Sequence, residues 1–144
     1  VERESLDHGK KAFNFDPALD AETSLRAFGR AYLEIVCRPD GGSAVRTVMA
    51  IAERMPDVGR RFYDRVIAHT MRLLAAYLTA RVEAGELAID NCELAAAQYM
   101  RMCQATLFEP YVFQAKPAPS KEQIAIVVDS AARLFLAGYR APKT

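Results

Sequence analysis

Proline and glycine residues at five places constrain the fold of this chain more than any other feature of its sequence. They divide it into six segments in which apolar residues recur every three or four positions. This spacing is typical of amphipathic α-helices, and no signal typical of a strand extends beyond four residues. The pattern predicts an all-α fold, a helical bundle of about six helices. The predicted breaks fall at Pro17, Gly41 with Gly42, Pro56, Gly85 and Pro117.

Short polar residues indicate where the predicted helices begin. After a weak helical pattern over residues 1–13, the second helix carries an apolar stripe that ends at Val36, and the third is short and ends near Met55. The fourth, from Asp57 to about Ala84, is predicted to be the longest, and the fifth covers residues 91–108. The predicted N-caps are Asp20, Ser43, Asp90 or Asn91, and Ser120, the last in a capping box with Gln123.

The composition is that of one soluble globular domain. With 144 residues, the chain is long enough to bury a core without metals or disulfides. Its 19 basic and 18 acidic residues nearly cancel, so it has no electrostatic footprint for nucleic acid. No apolar run approaches the roughly 18 residues of a membrane span. The three cysteines include no CxxC pair, which favours reduced thiols in a cytoplasmic protein.

No group of residues in the sequence is typical of an active site or a metal site. His8 lies in a polar stretch and His69 at the edge of the apolar face of the fourth helix, and neither belongs to a metal-binding motif. The glycine motifs that bind nucleotides and the motif of a nucleophilic serine are also missing from the sequence. We therefore expect neither enzyme activity nor a cofactor, although a stand-alone helical enzyme stays open as an alternative.

The apolar faces of the second to fifth helices contain a few small polar groups and soft, sulfur-containing side chains. This mixture is typical of a small-molecule pocket and equally of an ordinary core. Gly29 lies beside the stripe of the second helix, where it would permit close approach of another helix. Thr70 and Thr106 favour a pocket, because a buried hydroxyl without a partner costs about 1–3 kcal/mol unless it bonds to the carbonyl four residues earlier. The predicted lining is Phe28, Tyr32, Val48, Met49, Phe62, Val66, Thr70, Tyr99, Cys103 and Thr106.

The last two predicted helices are apolar around too much of their circumference for the outer layer of a small bundle. A homodimer in which these helices of both chains form a four-helix bundle would cover the second side. Alternatively, the sixth helix lies at the centre of a monomer. We predict the dimer, with an interface in or near Leu94, Phe108, Ile124, Val128, Ala131 and Phe135.

Three stretches of the sequence follow one another in a characteristic order. Residues 44–63 combine a short helix led by arginine, the step Met-Pro-Asp-Val and the pair Phe-Tyr. Residues 85–90 read Gly-Glu-Leu-Ala-Ile-Asp and are followed by Ala-Ala-Gln-Tyr at 96–99. Residues 135–139 read Phe-Leu-Ala-Gly-Tyr. Together these stretches resemble the C-terminal regulatory domain of TetR-family transcriptional repressors.

This resemblance implies a homodimeric regulatory domain that binds a small hydrophobic effector and has no membrane partner. The chain begins at Val1 in a charged stretch like the middle of a helix, so we expect a DNA-binding part upstream. Residues 1–16 would then end a linker helix, and residues 17–144 would form the ligand-binding and dimerisation domain. Operator DNA would be bound only through the upstream part and released when the effector changes the spacing of two such units. The alternative is a dimerisation module or a small-molecule-binding protein without a DNA function.

Overall fold

The computed structural model describes residue 13 and residues 15–39 and 44–143. These residues form an all-α bundle, as predicted, and their one β-type pairing is a bridge between Leu87 and Arg140. A π-helical turn, Tyr63–Ile67, joins two of the helices. The helices are α1 (Ala21–Val36), α2 (Ala44–Ile51), α3 (Pro56–Phe62), α4 (Ala68–Glu83), α5 (Cys92–Gln104), α6 (Phe108–Val112) and α7 (Lys121–Tyr139).

Side-chain caps begin three of the helices at residues that the sequence predicts. A carboxylate oxygen of Asp20 accepts a hydrogen bond from the Thr23 amide at 3.0 Å, and the side chain of Asn91 caps α5 in the same way. At α7 the Ser120 hydroxyl accepts from the Gln123 amide at 3.1 Å, and the Gln123 side chain accepts from the Ser120 amide at 2.8 Å. These bonds satisfy amide groups that have no partner within the first helical turn.

The segment before α1 packs against that helix through its aromatic rings. Of the helix predicted over residues 1–13, only residue 13 lies within the described part of the chain, and the cap predicted at Ser43 lies outside it. Phe13 is buried, with its ring centroid 4.8 Å from that of Phe28. The ring of Phe15 stacks on Phe28 at 5.5 Å. The end of this segment is therefore fixed to the bundle.

Two helices end earlier than predicted. Helix α2 ends at Ile51 rather than near Met55, and α5 ends at Gln104 rather than at Phe108. After α5 the chain turns and forms the short α6, which contains Pro110 in its first turn. A proline is tolerated there because its missing amide would have no helical partner. Pro110, two residues beyond the predicted end of the fifth helix, thus lies inside the next helix.

The helix predicted from Asp57 to Ala84 is observed from Pro56 to Glu83, with the π-helical turn inside it. Pro56 occupies the first turn, as predicted. Gly85 ends the helix with a φ of 83°, a conformation that favours glycine. In a π turn the backbone bonds reach one residue further than in an α-helix, so the side chains that follow are rotated about the axis.

The core lies where α1, α5 and α7 meet. The fully buried ring of Tyr99 contacts those of Phe28 and Phe135, and its hydroxyl donates to the Leu25 carbonyl at 2.6 Å. Gly29 makes this packing possible, since a Cβ atom at its position would lie 3.1 Å from the Tyr99 hydroxyl oxygen. The close helix approach predicted for Gly29 is confirmed.

Most of the predicted dimer-interface residues belong to this core instead. Helix α7 packs against α1 and α5 of the same chain and has apolar residues on its outer side as well, where Ile126 and Leu134 are exposed. The prediction chose the inner side, because an apolar helix gives no signal that separates the two. Of the remaining two residues, Leu94 is exposed and Phe108 lines the cavity described below. The four that are buried within one chain are Ile124, Val128, Ala131 and Phe135.

Candidate ligand cavity

A cavity of about 750 Å³ lies beside the core, between α1 and the helices α2 to α6. Cavities of this size can enclose most of a drug-sized molecule. Aromatic and aliphatic side chains form most of its wall, and its few polar side chains lie on α1, α4, α5 and α6. The described lining comprises Phe13, Tyr32, Ile35, Val36, Ala44, Val45, Met49, Phe62, Val66, Ile67, Thr70, Arg101, Gln104, Ala105, Phe108, Glu109, Val112 and Phe113.

The π-helical turn forms one apolar wall of the cavity. Val66 and Ile67 lie in the turn, Phe62 precedes it directly, and Thr70 follows in the first turn of α4. π turns are frequent at functional sites, because they redirect side chains that a regular helix would place elsewhere. The local irregularity of this long helix therefore shapes the cavity.

Two large apolar side chains lie at the rim of the cavity. Met49 of α2 is 56% exposed and Phe113, just after α6, is 78% exposed, although both line the cavity. The same two residues also line a groove on the surface between these short helices. The cavity therefore opens to solvent between α2 and α6, which gives a small molecule a route inward.

The polar end of the cavity is built from Tyr32 on α1 and from Arg101 and Gln104 on α5. A guanidinium nitrogen of Arg101, Nη1, donates to the Tyr32 hydroxyl at 3.4 Å and also to the side-chain oxygen of Gln104. Burial raises the pKa of the Tyr32 phenol, and the charge of Arg101 only partly opposes this. Tyr32 is therefore neutral at physiological pH and keeps its hydroxyl proton.

Thr70 on α4 provides a second polar position in the cavity. Thr70 is buried and lines the cavity, and its hydroxyl makes no hydrogen bond within the described part of the chain. Thr79, nine residues later on the solvent side of the same helix, donates to the Ala75 carbonyl at 3.0 Å. The Thr70 hydroxyl does not use the equivalent bond and is free to bind a polar group in the cavity.

Two ionic side chains line the cavity among the described residues. Arg101 has no carboxylate partner in that part of the chain, whereas Arg26 and Arg81 form ion pairs with Asp129 and Glu86 at 2.5 and 3.0 Å. The other ionic group is the carboxylate of Glu109 on α6, and both residues are exposed. Arg101 is held by neutral groups alone, which leaves most of its hydrogen-bond donors available.

Half of the residues predicted to line a pocket are brought together in this cavity. All of them come from the second to fourth predicted helices. The fifth predicted helix was expected to converge there too, but it contributes none of the predicted residues. The five are Tyr32, Met49, Phe62, Val66 and Thr70.

The structure does not bring the other five predicted residues to the cavity. Phe28, Tyr99 and Cys103 fill the core between α1, α5 and α7, because Gly29 lets these helices meet closely there. Val48 is buried but lies outside the cavity lining, and Thr106 is exposed because α5 ends before it.

The sequence contained a signal for the side of α5 that does reach the cavity. Arg101 and Gln104 are spaced by three residues, which places them on one helical face beside the face that holds Cys103, and Phe108 begins the next helix, α6. The pattern was passed over because Arg101 and Gln104 are polar, and polar residues are typical of a solvated face. Val36 belongs to the predicted apolar stripe of α1 but not to the predicted lining, and Ile35 lies beside that stripe.

A second apolar surface, the α5–α7 groove, lies on the opposite side of these two helices from α1. Leu94 of α5 and Leu134 of α7 are 53% and 64% exposed there. Arg101 lines this groove as well as the cavity, so its side chain lies between the two surfaces. The groove is lined by Leu94, Ala97, Gln98, Arg101, Met102, Leu134, Phe135, Gly138 and Tyr139.

Neither a metal site nor a membrane-spanning helix is found among the residues that the structure describes. No group of three or more His, Cys, Asp or Glu residues among them is placed to hold a metal ion. None of the helices in this part of the chain has the length and hydrophobicity needed to cross a membrane.

Comparison with known proteins identifies the family. Residues 23–141 match the family of the C-terminal domain of AefR-like transcriptional repressors. This match covers most of the chain, which therefore belongs to that family of TetR-type regulators. The resemblance seen in the sequence is confirmed, and the domain is the effector-binding regulatory domain of a TetR-family transcriptional regulator. No curated protein matches the sequence.

Solved structures of TetR-family regulators share the fold. A regulator of Mesorhizobium loti MAFF303099 has a TM-score of 0.79 at 19% identity over 97% of this chain and 68% of its own. The flavonoid-responsive regulator FrrA has a TM-score of 0.75 at 22% identity over 99% and 74% of the two chains. A regulator of Pseudomonas syringae pv. tomato DC3000 has a TM-score of 0.74 at 17% identity over 98% and 73%.

Proposed function

We propose that this domain binds a small, largely apolar effector in the cavity and that binding releases operator DNA from a DNA-binding part joined to it. The observation that carries the proposal is the cavity itself, enclosed by apolar side chains in a domain of a repressor family. In this proposal residues 1–16 belong to the link between the two parts, and residues 17–144 form the ligand-binding and dimerisation domain. The domain works in the cytoplasm, without enzyme activity and without a cofactor.

Phe13 supports a direct route from the cavity to the linker. Its ring lines the cavity, is 5% exposed and lies 4.8 Å from the ring of Phe28 on α1. A ligand that displaces Phe13 acts on the segment that precedes α1. The domain then has a DNA-bound conformation and a ligand-bound conformation. DNA affinity falls by the ratio of the ligand's affinities for these two conformations, and DNA weakens ligand binding by the same factor.

A second copy of the chain is the proposed occupant of the α5–α7 groove. Leu94 and Leu134 expose apolar surface there, and Ala97 and Gly138 leave room for the helices of a partner. Two such faces related by a two-fold axis form a four-helix bundle. The dimer proposed from the sequence is kept, with the outer side of α7 in place of the inner side.

The dimer supplies the geometry of DNA binding. It holds two DNA-binding units at half-sites about one helical turn apart. The regulatory domain itself, with a net charge of +1, has no excess of basic residues for phosphate contacts. Operator DNA is therefore bound only through the joined DNA-binding units.

Thermal unfolding with a panel of small apolar compounds tests the proposed effector site. Flavonoids belong in the panel, since FrrA is described as flavonoid-responsive and the cavity here is rich in aromatic rings. A compound that binds only the folded state at about 100 times its Kd adds about 2.7 kcal/mol to the free energy of unfolding. A saturable rise in Tm is expected. A panel without any such rise would contradict an effector site in this domain.

Two further measurements test the remaining parts of the proposal. Sedimentation at micromolar concentration is expected to show a dimer, and a monomer would rule out the second copy in the groove. A mobility-shift assay with duplex DNA at physiological salt is expected to show no sequence preference for this chain alone. Specific binding would show that the DNA-reading surface lies in this domain.

A further inference from the structure

We propose that the effector of this cavity carries one anionic oxygen group, such as a carboxylate, and that Arg101 binds it. This inference rests on the proposed effector site and adds the chemical class of the ligand. Arg101 lines the cavity and has no carboxylate partner in the described part of the chain. Arg101 is exposed at the edge of the cavity, and its guanidinium group suits a planar anion because two parallel N–H donors match two oxygens.

Most of the Arg101 donors are available for such a bond. The two hydrogen bonds that the structure records both use Nη1, so Nη2 and Nε are not engaged within the described residues. The contact with the Tyr32 hydroxyl is 3.4 Å long, beyond the usual range for a strong hydrogen bond. A carboxylate can therefore replace or join these neutral partners with little loss.

Tyr32 provides a second donor at the same place. Its oxygen accepts from Arg101, and its own proton has no acceptor among the described residues. Burial raises the pKa of this phenol, so the proton is retained at physiological pH. The hydroxyl can turn this proton toward an anion bound by Arg101. The apolar walls around Phe62, Val66 and Phe108 would hold the body of the ligand.

Glu109 is the one acidic group in the described lining, and it favours a cation instead. Two observations favour Arg101 as the anchor. Arg101 is on the long helix α5 and is hydrogen-bonded to the buried Tyr32, whereas Glu109 lies on the short α6 and its carboxylate makes no bond within the described part. A cationic effector bound by Glu109 is an explicit outcome of the test.

Isothermal titration calorimetry with three matched probes tests the proposal. Naphthalene-2-carboxylate, naphthalene-2-carboxamide and naphthalen-2-ylmethylammonium have the same ring and differ in the charge of the substituent. Wild-type protein at neutral pH is expected to bind the carboxylate at least about tenfold more tightly than the amide. Arg101→Gln should remove this preference and change amide binding by less than about threefold. Arg101→Lys should keep part of it, and Tyr32→Phe should reduce it.

Arg54→Gln is the matched control, because Arg54 is exposed and lines neither the cavity nor the α5–α7 groove. It should leave all three affinities unchanged. Since Arg101 also lines the groove, sedimentation of Arg101→Gln is measured in parallel. A loss of dimer with an unchanged preference for the carboxylate would overturn the proposal and assign Arg101 to the interface.

The remaining outcomes separate this inference from the proposed effector site. Equal binding of carboxylate and amide overturns the anionic class, while the effector site stands. Preference for the ammonium probe overturns it in favour of Glu109. Binding of none of the three probes, while neutral members of the compound panel raise the Tm, overturns it as well. If no compound of either set binds, the effector site itself is refuted.

Discussion

Gly29 of α1 and Val128 of α7 are in such close contact that a Cβ atom on Gly29 would lie 2.7 Å from Cγ1 of Val128. Real Cβ atoms do not approach a neighbour this closely, so the missing side chain is what lets α1 and α7 meet. Val128 is fully buried at this contact. Helix α7 therefore covers one side of α1, and the cavity lies on another side of the same helix.

Gly29→Ala should destabilise the fold. The added methyl group forces the branched and stiff side chain of Val128 to move, and overpacking of this kind costs about 1–3 kcal/mol. The better helix propensity of alanine recovers only about 1 kcal/mol. Urea unfolding of the variant is therefore expected to show a lower midpoint. In the double variant with Val128→Ala the two losses should be less than additive, and full additivity would place the strain elsewhere.

The helix-forming pattern of this chain was readable from its sequence because it depends on local chemistry. Asp20, Asn91 and Ser120 cap helices through bonds to amides only a few residues away. Which side of a helix faces the core depends instead on the helices that pack against it. Val128 and Leu134 are both apolar and both on α7, and only the position of α1 decides that Val128 is buried while Leu134 is exposed.

Leu134→Glu should convert the proposed dimer into a folded monomer. Leu134 is 64% exposed in one chain and lines the α5–α7 groove, so its replacement places a charge in the proposed interface without disturbing the core. Sedimentation and thermal unfolding together report both properties. Leu19→Glu, at an exposed position before α1, is the control and should remain dimeric. A dimeric Leu134→Glu protein would place the interface on another surface.

Val128→Glu should instead destabilise each chain by several kcal/mol, since Val128 is fully buried between helices of one chain.

The fold should lose stability as the pH rises from about 9 to 12. Burial raises the pKa of both Cys37 and Cys103 from 9.0 to about 12. Above pH 9 the unfolded chain therefore releases thiol protons that the folded chain retains, and unfolding becomes more favourable until the folded thiols also ionise. Burial raises the pKa of Tyr99 as well and acts in the same direction. Urea unfolding across this range checks the sign.

Thiol labelling provides an independent check of the same burial. Cys92 is only half-buried and should react first with iodoacetamide in the folded protein. Cys37 and Cys103 should react only after unfolding, since both are buried and protonated at neutral pH. Labelling of Cys103 at the rate of Cys92 would mean that the core opens easily.

Thr70→Val should leave the stability of the fold nearly unchanged or raise it slightly. The Thr70 hydroxyl has no partner among the described residues, so its removal breaks no bond. Binding of polar-headed ligands should weaken if the hydroxyl contacts them. Thr79→Val is the matched control on the same helix, because Thr79 does bond to a carbonyl and lies outside the cavity lining. A strongly destabilised Thr70→Val protein would show that the hydroxyl serves the fold.

The cavity was only partly predictable from the sequence, and the π-helical turn shows why. Residues predicted on the second to fourth helices, such as Tyr32 and Phe62, do line the cavity, whereas those predicted on the fifth helix do not. The turn at Tyr63–Ile67 has no sequence signal of its own, yet it determines the side to which Val66 and Ile67 point. Arg101 was missed for another reason, since a polar residue on a helix is typical of a solvated face.

The most direct test of the account compares ligand binding in two tryptophan variants. Val66 lines the cavity, whereas Val82 lies on α4 outside its lining, and both side chains are half-buried. The compound that gives the largest rise in Tm is titrated by calorimetry into wild type, Val66→Trp and Val82→Trp. We predict that Val66→Trp weakens binding by at least about tenfold and that Val82→Trp stays within about twofold of wild type. Equal binding by all three proteins would contradict the claim that the effector occupies this cavity.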